Sequence, residues 1–321
     1  MKTQKLVSFL LVGLIFISGV SCQAASKKVR IGYFPNLTHA QALVGRQTGR
    51  FEKGMSGTEL EWTVFNAGPS VIEAIFAGHL DIAYIGPGPA VNGFVKSNGE
   101  EIRVIAGAAS GGAALVVRED SGIKSAQDFH GKKVASPQYG NTQDIALRAW
   151  LKNQGYKTKD LGGDVEVLPI ANGDQLTLFE KKEIDASWTV EPWVSIFSSK
   201  AGAKMLLDEA SLYPDGRYAT TLVIVRKKFL KENPELVKEF LKVHRDITDW
   251  INQNPADAKN ILNDHLEKLT HKRMDLSVLD SAFSRIEYTA DVMKSSVEKQ
   301  AQSAFAIGFI KKSPKLDGLF E

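Results

Sequence analysis

The chain has 321 residues, of which 43% are hydrophobic and 24% charged, and its formal net charge is +3 at pH 7. These fractions are ordinary for a globular protein, and the nearly neutral balance argues against nucleic acid or an anionic membrane as the main partner. A chain of this length can form two lobes, each with its own hydrophobic core.

The first predicted element is a signal peptide over residues 1–24. Lys2 and Lys5 precede an apolar run that extends from Leu6 to Val20, and small residues follow it. The run is shorter than the roughly 20 apolar residues that a membrane-spanning helix needs. We therefore expect an exported protein, in the periplasm or at the outer face of the cell membrane.

Cys22 is the single cysteine of the chain, so neither an internal disulfide nor a cysteine-based metal site is expected. Its position resembles a bacterial lipobox, in which the cysteine is lipidated, although Gly19 stands where leucine is usual. Two alternatives stay open: lipidation at Cys22, or cleavage near Ala24 or Ala25 that releases a free periplasmic protein. Membrane contact is expected only through such an anchor.

Strands and helices alternate along the next part of the chain. The predicted strands are 29–33, 60–65, 81–85 and 102–106, with helices at 39–51, 71–77 and 90–95 between them. The pattern recurs with strands at 114–118, 133–136, 165–169 and 186–190 and helices at 142–154 and 173–181. Strands separated by helices form parallel βαβ units, so the sequence predicts an open α/β sheet.

The last part of the chain returns to the first block as a predicted strand over 220–226 and is helical from Pro234 onward. One amphipathic helix there is expected to pack on a sheet through Leu236, Phe240, Val243, Ile247 and Trp250.

Two lobes are expected from this order of elements. Residues 29–111 and 218–321 would form lobe 1, and residues 112–217 would form lobe 2. The two crossings between the lobes would make a hinge, and the cleft between them is the expected ligand site.

No catalytic or metal-binding constellation is evident. The six histidines do not stand at metal-ligand spacing, and His244, His265 and His271 are expected at the surface of charged helices. The sequence has no P-loop, no G-x-G-x-x-G after a strand and no complete nucleophile elbow. We predict no catalytic residue, no metal and no cofactor, and we expect His39 at a helix start or at the rim of the cleft.

A strand, a turn rich in Gly, Pro or Asn, and a helix follow one another four times. The turns are Pro35-Asn36-Leu37-Thr38, Gly68-Pro69-Ser70, Gly86-Pro87 and Tyr139-Gly140-Asn141-Thr142. Each presents unpaired helix N–H groups at the carboxyl end of a strand, where the helix dipole favours an anion. Ordinary helix capping is the alternative. The sequence predicts a clamp with Asn36 and Thr38 on one side and Gly140–Gln143 on the other.

The segment WTVEPW (188–193) follows a predicted strand. Its two tryptophans suit a cleft wall against the apolar part of a ligand, and packing between the lobes is the alternative. Glu191 would repel an anion, so we expect it to hold a backbone N–H, an arginine or a cationic group of a ligand.

Four segments together resemble a known family. They are AGPSVIEAIFAGHLDIAYIG (67–86), DSGIKSAQDFHGKKVA (120–135), GNTQDIALRAWL (140–151) and IDASWTVEPW (184–193). In this order they resemble bacterial extracellular solute-binding proteins of ABC importers, in the nitrate/sulfonate/taurine/bicarbonate (NMT1-like) group. The resemblance implies a two-lobed periplasmic binding protein fold of type II, with open, mostly parallel sheets, a hinge and a C-terminal helical segment.

The resemblance also implies a function. A small anionic solute would be captured by lobe closure and delivered to a permease and ATPase complex, and we expect a monomer. The implied ligand contacts, with Gln143 added from the predicted clamp, are Asn36, Leu37, Thr38, Gly68, Pro69, Gly86, Ser110, Gly111, Gly140, Asn141, Thr142, Gln143, Trp188 and Glu191.

The identity of the solute stays open at this point. Glu191 stands where sulfonate binders often have aspartate, and FPNLTHAQ (34–41) departs from the sulfonate version of that loop. One alternative is a thiamine precursor or similar heterocycle for the same kind of importer. An enzyme of thiamine-pyrimidine synthesis is disfavoured. Such relatives use a histidine and a cysteine-rich motif, whereas the single cysteine of this chain would be removed with the signal peptide or lipidated. A sensor or partner-binding ectodomain with a degenerate site is the third alternative.

Overall fold

Two β-sheets organise residues 27–321, the part of the chain that the computed structural model describes; the predicted signal peptide and Cys22 lie outside these residues. The strands are β1 (Lys27–Tyr33), β2 (Thr58–Val64), β3 (Ile82–Ile85), β4 (Ile102–Gly111), β5 (Ala113–Val117), β6 (Lys133–Ser136), β7 (Glu166–Pro169), β8 (Ala186–Val190), β9 (Lys204–Asp208), β10 (Ala219–Arg226) and β11 (Ile286–Tyr288). One sheet has the order β11-β4-β10-β3-β1-β2 and the other β7-β6-β8-β5-β9.

Helices connect and cover these strands. They are α1 (Ala40–Thr48), α2 (Arg50–Gly54), α3 (Gly68–Phe76), α4 (Pro87–Lys96), α5 (Thr142–Asn153), α6 (Asn172–Glu180), α7 (Trp193–Ala201), α8 (Lys227–Glu232), α9 (Pro234–Gln253), α10 (Pro255–Thr270), α11 (Leu276–Phe283) and α12 (Lys294–Ala306). Short 3-10 segments include Leu37–His39 and Glu209–Leu212. Within residues 27–321, no helix has both the length and the apolar character that crossing a membrane requires.

Most strands of each sheet run in one direction. β1 pairs in parallel with β2 and β3, and β6 with β7 and β8. Three strands are reversed: β10 pairs antiparallel with β3 and β4, β11 with β4, and β5 with β8 and β9. The predicted parallel βαβ units are therefore present. The alternation of residues in a strand does not show whether the neighbouring strand is parallel or antiparallel.

Each sheet lies between two layers of helices, because alternate residues of a strand face opposite sides. In β3, Ile82 and Tyr84 pack with α1, α9 and α10, whereas Ala83 and Ile85 pack with α3, α4 and α12. In the second sheet, α5 covers one face and α6 and α7 cover the other. We call the six-stranded sheet with its helices lobe 1 and the five-stranded sheet with its helices lobe 2.

The chain crosses between the lobes twice. β4 ends at Gly111 in lobe 1 and β5 begins at Ala113 in lobe 2, while β10 carries the chain back. Tyr218 joins the two crossings, because its hydroxyl accepts a 3.0 Å hydrogen bond from the backbone N–H of Ala113. This pair of short crossings leaves a cleft between the lobes.

The helix α9 has the predicted apolar face, with one correction. Phe240 and Ile247 are buried, but His244 lies among them and is buried as well. Its Nδ1 is 2.9 Å from the Tyr84 hydroxyl and its Nε2 is 2.8 Å from the Gly107 carbonyl oxygen. Burial lowers the pKa of His244 to about 4, so the ring is neutral.

His265 also departs from the surface position that the charged helix suggested. It is buried inside lobe 1, between α10 and α1, and its Nδ1 lies 3.1 Å from Oε1 of Gln47. Burial lowers the pKa of His265 to about 4. His271 is exposed, as expected, at the C-terminal end of α10. A histidine at a helical core position can be buried when hydrogen bonds satisfy its ring nitrogens.

Candidate functional site

A cavity of about 260 Å³ lies between the two lobes. We call it the head cavity. Lobe 1 lines it with Phe34, Pro35, Asn36, Thr38, His39, Asn66, Gly86, Thr220, Thr221 and Thr270, and lobe 2 with Pro137, Asn141, Thr142, Gln143, Ala171, Asn172, Gly173, Val190 and Trp193.

Helix N-termini surround this cavity. Gly86, Asn141 and Ala171 are the residues immediately before α4, α5 and α6, and Trp193 is the first residue of α7. The 3-10 segment Leu37–His39 begins there too. The first N–H groups of a helix have no partner within the helix, and the dipole places roughly half a positive charge at that end. At α4 this supply is absent, because Pro87 and Pro89 have no N–H and the N–H of Gly88 donates to Thr142. The free N–H groups at the cavity therefore come from the other helix starts.

The lining residues carry no fixed charge. Among the described residues that line the head cavity there is no lysine, arginine, aspartate or glutamate. His39 is ionisable, but it is only 2% exposed, and burial lowers its pKa to about 3. An anion held here would be held by hydrogen bonds and helix dipoles alone.

His39 stands at the start of α1, one of the two positions expected, and its ring is buried in the wall of the cavity. Its Nδ1 accepts a 3.3 Å hydrogen bond from the backbone N–H of Phe34, so the ring proton belongs on Nε2. The described residues supply no hydrogen-bond partner for Nε2. The Phe34 ring lies against the imidazole, with 4.5 Å between centroids and 32° between the ring planes.

Two buried polar atoms of the lining have no hydrogen-bond partner among residues 27–321. They are Oγ1 of Thr221, in a residue 1% exposed, and Oδ1 of Asn36. Leaving such a group unpaired costs about 1–3 kcal/mol. The neighbouring hydroxyl of Thr220 differs, because it donates to the Gly111 carbonyl oxygen at 2.6 Å. The unpaired Thr221 hydroxyl thus belongs to a lining residue and is not used by the other described residues.

The lobes touch beside this cavity. Oγ1 of Thr142, at the start of α5, accepts a 3.1 Å hydrogen bond from the N–H of Gly88 in α4. A Cβ at Gly86 would overlap the same Thr142 hydroxyl, so glycine is required for this close approach. The N-termini of α4 and α5 therefore meet across the cleft.

The structure brings together six of the ligand contacts that the sequence predicts. These six line the head cavity: Asn36, Thr38, Gly86, Asn141, Thr142 and Gln143. Eight others do not line it: Leu37, Gly68, Pro69, Ser110, Gly111, Gly140, Trp188 and Glu191. For seven of these eight residues the reason lies in the packing around them.

In lobe 1, packing accounts for the positions of most of these residues. Leu37 is fully buried in the core, and the Cα of Gly68 lies against Pro89. The Ser110 hydroxyl accepts a hydrogen bond from the Tyr218 N–H at 3.2 Å. A Cβ at Gly111 would lie 2.6 Å from a carbonyl oxygen of Arg285. Pro69, in the first turn of α3, also lies outside the cavity.

Gly140 lies just before α5 and outside the cavity. Its φ of +75° is in the left-handed region, and a Cβ there would overlap the ring of Phe309. Its N–H donates to Oδ2 of Asp144 at 2.9 Å, and Oδ1 of Asp144 accepts from the Ser136 hydroxyl at 2.8 Å. Asp144 thus fixes the turn that places Asn141 and Thr142 in the cavity.

Trp188 and Glu191 are both fully buried. Glu191 accepts hydrogen bonds from the backbone N–H and the hydroxyl of Ser195, at 3.0 and 2.9 Å, and its Oε1 lies 3.3 Å from Nε of Arg285. These are two of the partners that its position suggested. Burial raises the pKa of Glu191 to about 7, while the bonds from Ser195 and the charge of Arg285 oppose this rise.

Several lining residues are missing from the sequence prediction. Asn172 and Gly173 follow β7 and begin α6, so they repeat the strand-turn-helix pattern and could have been found by it. Trp193 belongs to the WTVEPW segment that suggested a cleft wall. Thr220 and Thr221 lie in β10 and carry no sequence signal of this kind.

The fold and this cleft together define a class of protein. Two α/β lobes joined by two short crossings, with a neutral cavity of helix N-termini between them, are the architecture of a two-lobed solute-binding protein. Residues 23–263 match the model of the NMT1-like family, and the chain belongs to this family.

Relatives with names cover most of the chain. It is 26% identical over 315 residues to a putative aliphatic sulfonates-binding protein of Bacillus subtilis, covering 94% of this chain and 89% of the relative. It is 27% identical over 246 residues to the taurine-binding periplasmic protein of Escherichia coli, covering 77% of this chain and 72% of the relative.

Solved structures share the fold. The alkanesulfonate-binding protein SsuA of Xanthomonas axonopodis pv. citri, bound to MOPS, superposes with a TM-score of 0.76 at 17% identity, covering 92% of this chain and 99% of that one. The periplasmic nitrate-binding protein NrtA of Synechocystis PCC 6803 gives a TM-score of 0.73 at 15% identity, covering 89% and 83%. The periplasmic binding protein fold that the sequence predicts is thus confirmed.

Proposed function

We propose that this protein is the extracellular solute-binding component of an ABC importer, and that it captures a small anionic solute in the head cavity by lobe closure. The observation that carries the proposal is the ring of helix N-termini around a cavity without fixed charge. Such a site attracts an anion but binds it without an ion pair, which suits a solute that must be released again.

The donors of the cavity fit the oxygen atoms of such a solute. Hydroxyl groups of Thr38 and Thr221, the amides of Asn141 and Gln143, and the N–H of His39 would contact different oxygens of one head group. Most come from separate elements on the two lobes, so a complete set forms only when the lobes are together. Closure is therefore the step that we expect to raise affinity.

The remaining parts of the proposal follow from the family. Lobe 1 would comprise residues 29–111 and 218–321, and lobe 2 residues 112–217. The protein would act outside the cell membrane as a monomer, lipidated at Cys22 or free, and would deliver its solute to a permease with its ATPase. We propose capture without catalysis, since the named relatives are binding proteins.

A thermal-shift panel with purified protein tests the class of solute. It would contain nitrate, bicarbonate, taurine, methanesulfonate, methylphosphonate and a cationic pyrimidine of the thiamine-precursor type. We expect a concentration-dependent rise in Tm with one or more anions. A rise with the cationic heterocycle alone would overturn the anion assignment.

A further inference from the structure

A second cavity of about 360 Å³ adjoins the head cavity. We call it the side cavity. The two cavities share four lining residues, Pro35, Gly173, Trp193 and Thr270. Because four residues line both, the cavities are adjacent and lie within the reach of one molecule.

The lining of the side cavity differs in chemistry from that of the head cavity. Its walls include the apolar side chains of Leu176, Trp193, Ile196, Leu266, Met274 and Val278. Five charged residues also line it, Glu180, Lys200, Lys272, Arg273 and Asp275, and all five are exposed to solvent. The side cavity therefore favours a carbon body over a second ionic group.

Both lobes build this cavity. Leu176 and Ile196 belong to α6 and α7 of lobe 2, whereas Leu266 and Val278 belong to α10 and α11 of lobe 1. The lobes are also joined nearby, where the hydroxyls of Ser195 and Ser281 lie 3.0 Å apart. Closure over a head group would thus also enclose the side cavity.

Its size sets an upper bound on the group that it could hold. An apolar protein cavity of about 150 Å³ is enough to bind benzene, and the side cavity has more than twice that volume. Nitrate, bicarbonate or methanesulfonate would leave its walls without a partner.

From these observations we infer that the solute is an organic oxyanion with a ring-sized or branched apolar body, and that this body occupies the side cavity against Trp193 while the anionic group occupies the head cavity. This inference rests on the proposed function and deepens it. Burial of a ring adds a favourable hydrophobic term that a methyl group cannot supply.

Calorimetry with matched pairs of anions tests the inference. Each pair has one head group and two bodies: methanesulfonate and benzenesulfonate, methylphosphonate and phenylphosphonate, acetate and benzoate. We expect the ring member of at least one pair to bind 30-fold or more tightly than its methyl counterpart.

A substitution that fills the side cavity provides the second arm. Thr177 is exposed and lines the side cavity but not the head cavity, so Thr177→Trp would place a large side chain in the space for the ring. We expect this variant to lose most of the ring preference. Ser199→Trp is the matched control, because Ser199 is an exposed residue of α7 outside both cavities, and we expect it to keep the preference.

The outcomes separate the two proposals. If methyl and ring members bind equally, or if Thr177→Trp keeps the full ring preference, the side cavity is not the subsite and the proposed function still stands. If neither member of any pair binds, the subsite fails, and the anion assignment is then decided by nitrate, bicarbonate and taurine in the thermal-shift panel.

Discussion

The indole N–H of Trp188 donates a 2.7 Å hydrogen bond to Oε2 of Glu209, and both side chains are buried. The Trp188 ring also packs edge to face on Trp150, with 6.1 Å between centroids. Trp188 is thus a core residue of lobe 2, whereas Trp193 lines both cavities of the cleft. The two tryptophans of one motif have different surroundings, and substitutions should separate their roles.

Replacing Trp188 should affect stability rather than binding. Trp188→Phe removes the indole N–H and leaves the buried Glu209 carboxyl without its donor, which should cost about 1–3 kcal/mol of unfolding free energy. Urea unfolding measures this loss, and calorimetry with the best anion of the panel should give an affinity within about twofold of the wild type. Trp193→Phe is the control: it should lower the affinity for the anion and leave the unfolding free energy nearly unchanged. A large loss of affinity in Trp188→Phe would make it a ligand contact after all.

Glu209 should make stability depend on pH. Burial raises its pKa to about 7 from a reference value of 4.5. Between these values the folded protein keeps a proton that the unfolded chain releases, so the contribution of Glu209 to stability falls as pH rises through this window.

The variant Glu209→Gln should remove this dependence, because an amide oxygen can still accept the Trp188 hydrogen bond. Its unfolding free energy relative to the wild type should rise, on the order of 3 kcal/mol, between about pH 4 and about pH 8. Urea unfolding of both proteins at each pH gives the difference. Parallel pH profiles for the two proteins would show that Glu209 does not titrate in this way.

The unpaired hydroxyl of Thr221 should contribute to binding without stabilising the free protein. Thr221→Val keeps the shape of the side chain, so we expect an affinity for the best anion about 10-fold to 100-fold lower, the range for a hydrogen bond to a charged group. The Tm of the free protein should stay the same or rise.

Thr220→Val is the matched comparison for Thr221→Val. The Thr220 hydroxyl donates to the Gly111 carbonyl oxygen, so its removal should lower the Tm of the free protein by a few degrees. Equal effects of the two substitutions on Tm would contradict the assignment of different roles.

Contact between α4 and α5 should limit lobe closure. Gly86→Ala would introduce a methyl group where the Thr142 hydroxyl lies, so the lobes could not come as close and anion affinity should fall at least tenfold. Thr142→Ala removes the hydroxyl and its bond to Gly88. In the double variant the methyl group has room. The double variant should therefore lose less binding free energy than the two single variants lose in sum. Additive losses, measured by calorimetry, would argue against a steric limit.

The turns of the head cavity could be predicted because their signal is local. Asn36, Thr38 and Asn141–Gln143 stand at helix starts after strands, and a parallel sheet brings such positions to one edge. The same signal included Gly68, whose turn packs against Pro89 instead. A local pattern identifies a helix start but not which tertiary neighbour faces it.

Other parts of the site depend on long-range contacts. The hydroxyl of Thr221 is important because no neighbouring group pairs with it, and this follows from the assembled lobes rather than from its sequence context. His244 is buried because Tyr84 and Gly107, distant in the chain, satisfy its ring nitrogens. The side cavity likewise forms only where α6 and α7 meet α10 and α11.

The absence of fixed charge around the head cavity, among the residues described, has a consequence for release. The field of a helix terminus falls off within about one turn, far more steeply than that of a full charge. A small separation of the lobes would therefore remove the attraction of the helix ends on the lobe that moves away. The permease would need to supply only the work of opening, and the solute would leave without an ion pair to break.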